Sequence, residues 1–218
     1  MNRPDYSAVW PHGRSRSLSV PETALHANLE ISAQRYPHKS CLVYYGASYS
    51  YGQVLAQVQA LAGYLQHDCG VSKGDRVLLY MQNSPQFVLA YYAILRADAV
   101  VVPVNPMNRA DELQHYIRDT GANVIIYGQE LHEQVALLGA AAPASKLVAA
   151  YHDYLPAAGS DQNVPDVVAE AAQALAGNGV TLWRDALAGG RVPLCHAVYV
   201  RHYRPSQRLR SYPLFHHV

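Results

Sequence analysis

The chain has 218 residues, 50% hydrophobic and 15% charged, with a formal net charge of +1 at pH 7. That length suits one α/β domain or one and a half, and it allows burial of roughly 70% of the unfolded surface. A charge so near zero excludes a partner chosen by global charge, such as nucleic acid. No window approaches about eighteen uncharged apolar residues, and Arg96 and Asp98 interrupt the best candidate, so no transmembrane segment is expected. The three cysteines, Cys41, Cys69 and Cys195, are far apart and form no Cys-x-x-Cys. That spacing argues against a metal knuckle or a disulfide framework and fits a reducing cytoplasm.

Residues 1–19 read as an irregular surface segment. Asp5, His12, three arginines and two prolines stand in the first twenty positions, so no signal-peptide core is present. Pro21 is expected to open a helix with Leu25, Leu29 and Ala33 on one side and Pro37 beyond its end. Residues 40–45 read as a strand, Gly46-Ala47 as a turn and residues 48–51 as a short returning strand. Ser50 and Gln53 form a Ser-x-x-Gln capping box, worth about 1 kcal/mol for the cap. The helix behind it carries Val54, Leu55, Val58, Leu61, Ala62 and Leu65 at helical spacing, with Gly70 as its C′ residue.

Residues 74–106 hold the organising unit. Residues 76–81 are an apolar run long enough for a strand and too short for a helix. Ser84-Pro85 reads as an N-cap followed by proline at the first helical position. Phe87, Tyr91, Ile94 and Leu95 then mark one apolar stripe. Residues 100–104 are a second, β-branched run closed by Asn105-Pro106. Strand, helix, strand in this span is a βαβ unit. Neither strand alternates, so both are expected to be covered on both faces, as in a parallel sheet between helix layers.

Asn108 and Asp111 can cap the next helix, with Leu113, Tyr116 and Ile117 inward and Gly121 at its end. Residues 124–127 are a strand; Leu131, Val135 and Leu138 mark a helix; residues 146–151 are a further strand. The alternation implies a doubly wound, mostly parallel sheet flanked by helices, with right-handed crossovers. Residues 139–144 and 156–165, rich in small residues, glycine and proline, read as flexible connections. Residues 167–175 read as an alanine-rich helix, and residues 181–187 fit helix or strand equally.

After Asp185 no acidic residue occurs to the end. From Leu194 onward the chain holds four arginines, four histidines and three tyrosines with no hydrophobic period. This is a sharp shift of composition. Its basic and aromatic mix alone could read as a nucleic-acid or membrane arm.

Several motifs together carry a family likeness. They are Pro37-x-Lys39, Leu42-Val43-Tyr44, Ser50-Tyr51 at a helix entry, Gly74-Asp75-Arg76-Val77, Asn83-Ser84, and Ala93-x-Leu95-x-Ala97-x-Ala99-Val100-Val101-Val102-Pro103-Val104-Asn105-Pro106. In this order and spacing they resemble the N-terminal region of adenylate-forming ligases, and within that family the bacterial long-chain fatty acid–CoA ligases. Asp98 stands where most members carry glycine. The resemblance divides the chain into an irregular segment (1–19), an N-terminal subdomain of an AMP-dependent ligase (20–190) and a tail outside the family pattern, expected to be disordered (191–218).

The resemblance implies a parent enzyme that takes ATP, Mg²⁺, coenzyme A and a fatty or other carboxylic acid. It forms an acyl-adenylate and pyrophosphate, then an acyl-CoA and AMP. Charge on the transferring phosphoryl oxygens calls for a loop of backbone amides, hydroxyls and a lysine. The family's loop, Tyr-Thr-Ser-Gly-Thr-Thr-Gly-x-Pro-Lys-Gly, does not occur in this sequence. Hence no catalytic, cofactor-binding or metal residue is assigned, and the chain is expected to be inactive alone.

The tail suggests why. Residues 194–210 can be encoded, by choice among synonymous codons, so that reading from the second base of each codon spells Cys-Val-Met-Pro-Tyr-Thr-Ser-Gly-Thr-Thr-Gly-His-Pro-Lys-Gly-Cys-Val. That contains the missing loop. Second bases are nearly all fixed by the amino acids, so the agreement is hard to reach by chance. Only three lysines stand against fourteen arginines, a bias of GC-rich coding. A frame change near residues 192–194 is therefore expected.

Other signals have plain readings. His115, His132 and His216-His217 lack a partner carboxylate at zinc-ligand spacing. Asn83-Ser84-Pro85 lacks the glycine of a phosphate turn and reads as ordinary capping. Tyr44-Tyr45 and Tyr91-Tyr92 read as core and rim. No Gly-x-Gly-x-x-Gly or P-loop motif is present. Two other readings compete with the ligase fragment: a free-standing α/β module holding a small ligand at a switch point, and a scaffold fragment that joins an intact synthetase. A subdomain without its neighbour is also expected to expose apolar surface and to aggregate.

Overall fold

The computed structural model describes residues 9–15, 17, 23–157, 163–175, 177 and 179–194. The chain divides into two units, residues 1–23 with 198–218, and residues 24–197. In the first, the Trp10 indole N–H donates to the Arg14 carbonyl at 3.2 Å. The second holds α1 (Ala27–Arg35), β1 (Ser40–Tyr44), β2 (Ala47–Ser50), α2 (Tyr51–His67), β3 (Arg76–Tyr80), α3 (Pro85–Arg96) and β4 (Val100–Val104). After these come α4 (Ala110–Thr120), β5 (Val124–Gly128), α5 (His132–Ala136), β6 (Ser145–Ala149), α6 (Asp166–Ala169), β7 (Val180–Leu182) and α7 (Trp183–Ala188).

The main sheet has five strands in the order β4-β3-β5-β6-β7. Every pair in it is parallel. This is the doubly wound arrangement expected. Because successive side chains alternate across a strand, Val77, Leu79, Val124 and Ile126 join α2, α3 and α7 in one core layer. Leu78, Tyr80, Ile125 and Tyr127 face the other way, into a second layer with Leu113 of α4 and Val135 of α5. Both central strands are thus apolar on both faces for a structural reason. β4 differs from expectation. It lies at the sheet edge, and Val100 is 48% exposed.

β1 and β2 form a separate antiparallel hairpin. Its turn is Tyr45-Gly46, with φ of 45° and 90°, one residue earlier than expected. Two positive φ values give the turn the twist a tight hairpin needs. The Ser50–Gln53 capping box forms as expected, and Tyr51 belongs to α2 rather than to the strand. α2 ends at His67 with Asp68 as its cap, so Gly70, at φ +68°, lies two residues beyond the cap. There it lets the Val71 amide return to the Leu65 carbonyl at 2.9 Å.

Other boundaries move. α1 begins at Ala27 and leaves Leu25 exposed, while Pro21 lies outside the described residues. On α3 the fully buried stripe is Gln86, Leu89, Ala90, Ala93 and Ile94. Phe87, Tyr91 and Leu95 flank it, half-buried. Arg109, not Asn108 or Asp111, holds the N-cap position of α4, and its amide donates to the Glu112 carboxylate at 2.9 Å. Gly121 ends that helix in the left-handed region as expected. The connection at 139–144 contains a 3-10 turn, Gly139–Ala141. β6 stops at Ala149, and Tyr151 opens a 3-10 turn, Tyr151–Tyr154. The ambiguous stretch resolves into β7 and then α7.

The helix expected over 167–175 is only Asp166–Ala169. Gln129 accounts for its early end. Its side-chain amide donates to the carbonyls of Glu170 and Ala171, each at 3.1 Å, and its oxygen accepts the Gln173 amide at 3.2 Å. Backbone groups held this way cannot close further helical turns. Among the described residues no helix is long and apolar enough to cross a membrane.

α3 ends in a complete Schellman motif: the Asp98 amide returns to the Leu95 carbonyl at 3.1 Å and the Ala99 amide to that of Ile94 at 3.0 Å. The motif needs a left-handed C′ residue, and Asp98 sits there at φ 59°. A side chain in that region costs roughly 1–2 kcal/mol, less for Asp than for most. This fits the glycine that the resemblance leads one to expect at this position. We predict that Asp98→Gly raises the stability by about 1 kcal/mol. Urea denaturation reads the change; an unchanged or lowered midpoint would refute it.

Candidate functional site

In an open α/β sheet a ligand crevice forms at the carboxyl ends of strands where successive crossovers pass to opposite faces. Here that place lies between β3 and β5, since β4 and β5 flank β3 on either side. The chain fills it with its own side chains. The Tyr151 hydroxyl accepts the Gln82 amide at 2.8 Å and donates to Glu130 Oε1 at 2.7 Å. Gln82 lies just past β3 and Glu130 just past β5, so one hydroxyl ties three strand ends together. Gly128 makes room for this pair, because a Cβ there would collide with the Glu130 carboxylate and the Tyr151 hydroxyl.

Beside the pair, Gln86 is fully buried and donates its side-chain amide to the Ala150 carbonyl at 2.7 Å. Its Oε1, and Oε2 of Glu130, have no hydrogen-bond partner among the described residues. Burial pushes the Glu130 carboxyl above the usual carboxylate range. Its hydrogen bonds to Tyr151 and to its own backbone pull it partly back, and the charge of Glu170 adds to the rise. Burial, then the Glu130 charge, also pushes the Tyr151 hydroxyl up. Tyr44 is pushed up to about 12 by burial and by Tyr45 and Glu130. A tyrosine that holds its proton and spends both its hydrogen-bonding roles inside the fold is a lock. That hydroxyl is not free to serve as an acid or a nucleophile.

The other residues weighed from the sequence are scattered. Ser84 Oγ accepts the Phe87 amide at 3.2 Å, which is ordinary helix capping. His132 Nδ1 pairs with the Tyr127 hydroxyl at 2.8 Å, and His115 lies against the Tyr116 ring. Tyr44 and Tyr45 meet edge to face at 4.8 Å, as do Tyr91 and Tyr92 at 6.3 Å. Cys41 and Cys69 are free and half-buried. Among the described residues no three His, Cys, Asp or Glu come together as metal ligands. Cys195 and His216-His217 lie outside the described residues. The Tyr151–Glu130–Gln82 lock was not read from the sequence. Its one visible signal is Gln129-Glu130, polar residues directly after an apolar strand that ends in Gly128.

The profile of the family described as AMP-binding enzyme matches residues 29–181. The chain belongs to that family. A curated member, the long-chain-fatty-acid–CoA ligase of Bacillus subtilis (strain 168), is 33% identical over 150 residues; the match takes in 68% of this chain and 27% of that one. The chain thus spans about a quarter of that relative's length. Among solved members, the inhibitor-bound N-terminal domain of FACL13 from Mycobacterium tuberculosis matches at 29% identity and a TM-score of 0.52, covering 54% of this chain and 30% of the other. The anthranilate CoA ligase AuaEII, in complex with anthranoyl-AMP, matches at a TM-score of 0.65 and 19% identity, covering 82% of this chain and 30% of the other. That last likeness speaks for the fold alone.

A pH test addresses the lock. Glu130's native pKa lies above its unfolded value, so the native state holds the proton longer. Stability from this group is complete below the unfolded pKa, about 4.3, and is lost as pH rises through the native one. Glu130→Gln removes that loss. Its urea midpoint is therefore predicted to gain on the wild type as pH rises above about 4.3. A difference that stays constant as pH rises would contradict the buried charge.

Proposed function

We propose that this chain is the N-terminal part of an acyl-CoA synthetase whose coding frame changes near residues 192–194, and that it does not form adenylates on its own. One observation carries the reading: residues 194–210 can encode, in the second frame, the whole phosphate loop that the family requires and this chain lacks. The likeness to a long-chain-fatty-acid–CoA ligase supports the parent's substrate class. In that parent the oxygen of a fatty or other carboxylate attacks the α-phosphorus of ATP, and pyrophosphate departs with the bonding pair. The thiolate of coenzyme A then attacks the acyl carbon, and AMP departs. Mg²⁺ and the loop's donors would stabilise the phosphoryl charge.

The chain's own residues here supply a wall rather than a reactive centre. The Gln82 amide and the Tyr151 hydroxyl, donors at the crevice, are already bonded within the fold. A reducing cytoplasm is the compartment that its separated thiols fit. Self-association belongs to the same reading: Val43, Met107 and Leu137 stand 72%, 84% and 66% exposed, and sedimentation velocity showing only monomer at high concentration would remove that part.

The test has two arms. The coding DNA should, after a one-base correction near codon 192, open a long frame beginning with the loop. The purified 218-residue chain should release no pyrophosphate from MgATP with octanoate or palmitate. DNA without a continuation, or acid-dependent turnover by this chain, would overturn the proposal.

A further inference from the structure

Past α7 the chain crosses back to the ends of α2 and α3, and three residues there, Arg191, Val192 and Leu194, are gripped by several independent contacts. Arg191 makes a two-pronged ion pair with Asp68, Nε to Oδ2 at 3.1 Å and Nη2 to Oδ1 at 3.0 Å. The Val192 carbonyl lies 3.0 Å from His67 Nε2. The Leu194 amide donates to Gln66 Oε1 at 2.8 Å, and its carbonyl accepts from Arg96 Nη1 at 3.3 Å. Arg96 is itself paired with Glu30 at 3.3 Å. Gly63 completes the seat. A Cβ there would stand 2.5 Å from the Arg191 carbonyl oxygen, so only glycine admits the backbone this close. Glycine inside a helix costs about 1 kcal/mol relative to alanine, which makes a glycine at this contact informative. These contacts fall where the tail outside the family pattern was expected to begin, at residue 191.

We propose that the carboxyl ends of α2 and α3 are a built cradle for the chain's own exit, with Gly63, Gln66, Asp68 and Arg96 as positioning residues that fix where the segment after Leu194 leaves the domain. Beyond Arg191 the cradle holds backbone atoms, the carbonyl of Val192 and both polar groups of Leu194. It therefore binds the same way whichever side chains the frame supplies. This gives the frame change a physical consequence: these contacts survive it.

The full 218-residue chain tests the cradle. Hydrogen exchange at the Leu194 amide and tryptic cleavage after Arg191 report its opening, because cleavage follows the population of the open form. Gly63→Val, Gln66→Ala and Asp68→Asn are each expected to speed both by about tenfold without lowering the global melting temperature, as a local opening would. The charge-swapped pair Asp68→Arg with Arg191→Asp is expected to restore slow exchange at Leu194, which loss of a merely stabilising contact would not predict. Fast exchange and cleavage already in the wild type, or no response to the variants, would overturn the cradle. A confirmed cradle with DNA lacking a second-frame continuation would end the ligase reading and leave the cradle standing.

Discussion

The pairing of β3 with strands on both its sides is the constraint on which the rest depends. Val77 to Tyr80 are wholly buried, paired with β4 on one side and β5 on the other. A strand buried on both faces cannot leave its backbone groups unpaired, so it needs neighbours on both edges. Parallel neighbours in turn require crossovers, and these place helices on both faces. The choice of Val, Leu, Leu and Tyr at four successive positions therefore dictates two layers of helices. It also creates the crevice where β4 and β5 part company.

Much of this was legible in the sequence because its signals are local and chemical. Ser84-Pro85 and Ser50–Gln53 act through hydrogen bonds within one helical turn, and both formed as read. Apolar runs without alternation announced buried strands. What was not legible came from contacts far apart in sequence. The helix over 167–175 stops after four residues because Gln129 takes the backbone that helical turns would use. β4 reads like β3 but lies at the edge, which only the strand order decides. Of the stripe read on α3, Ile94 is fully buried as expected, while the bulk of Phe87 and Tyr91 is accommodated at the flanks and small Ala90 and Ala93 let the helix approach the sheet.

The same division holds for the site. Family motifs spread over the chain pointed to an adenylate-forming ligase, and the family match bears that out. The lock of Tyr151, Glu130 and Gln82 joins residues up to 69 positions apart and has no motif. Its chemistry is inward-looking: a hydroxyl that keeps its proton between an amide and a carboxylate secures strand ends.

Native-state hydrogen exchange over the main sheet tests the central claim most directly. The account predicts that the amides of Val77 to Tyr80 and Val124 to Tyr127 exchange last, only through global unfolding, while those of the edge strand β4 and the β1–β2 hairpin exchange earlier. If the hairpin or α2 outlasted β3, the sheet would not be the element that organises this protein.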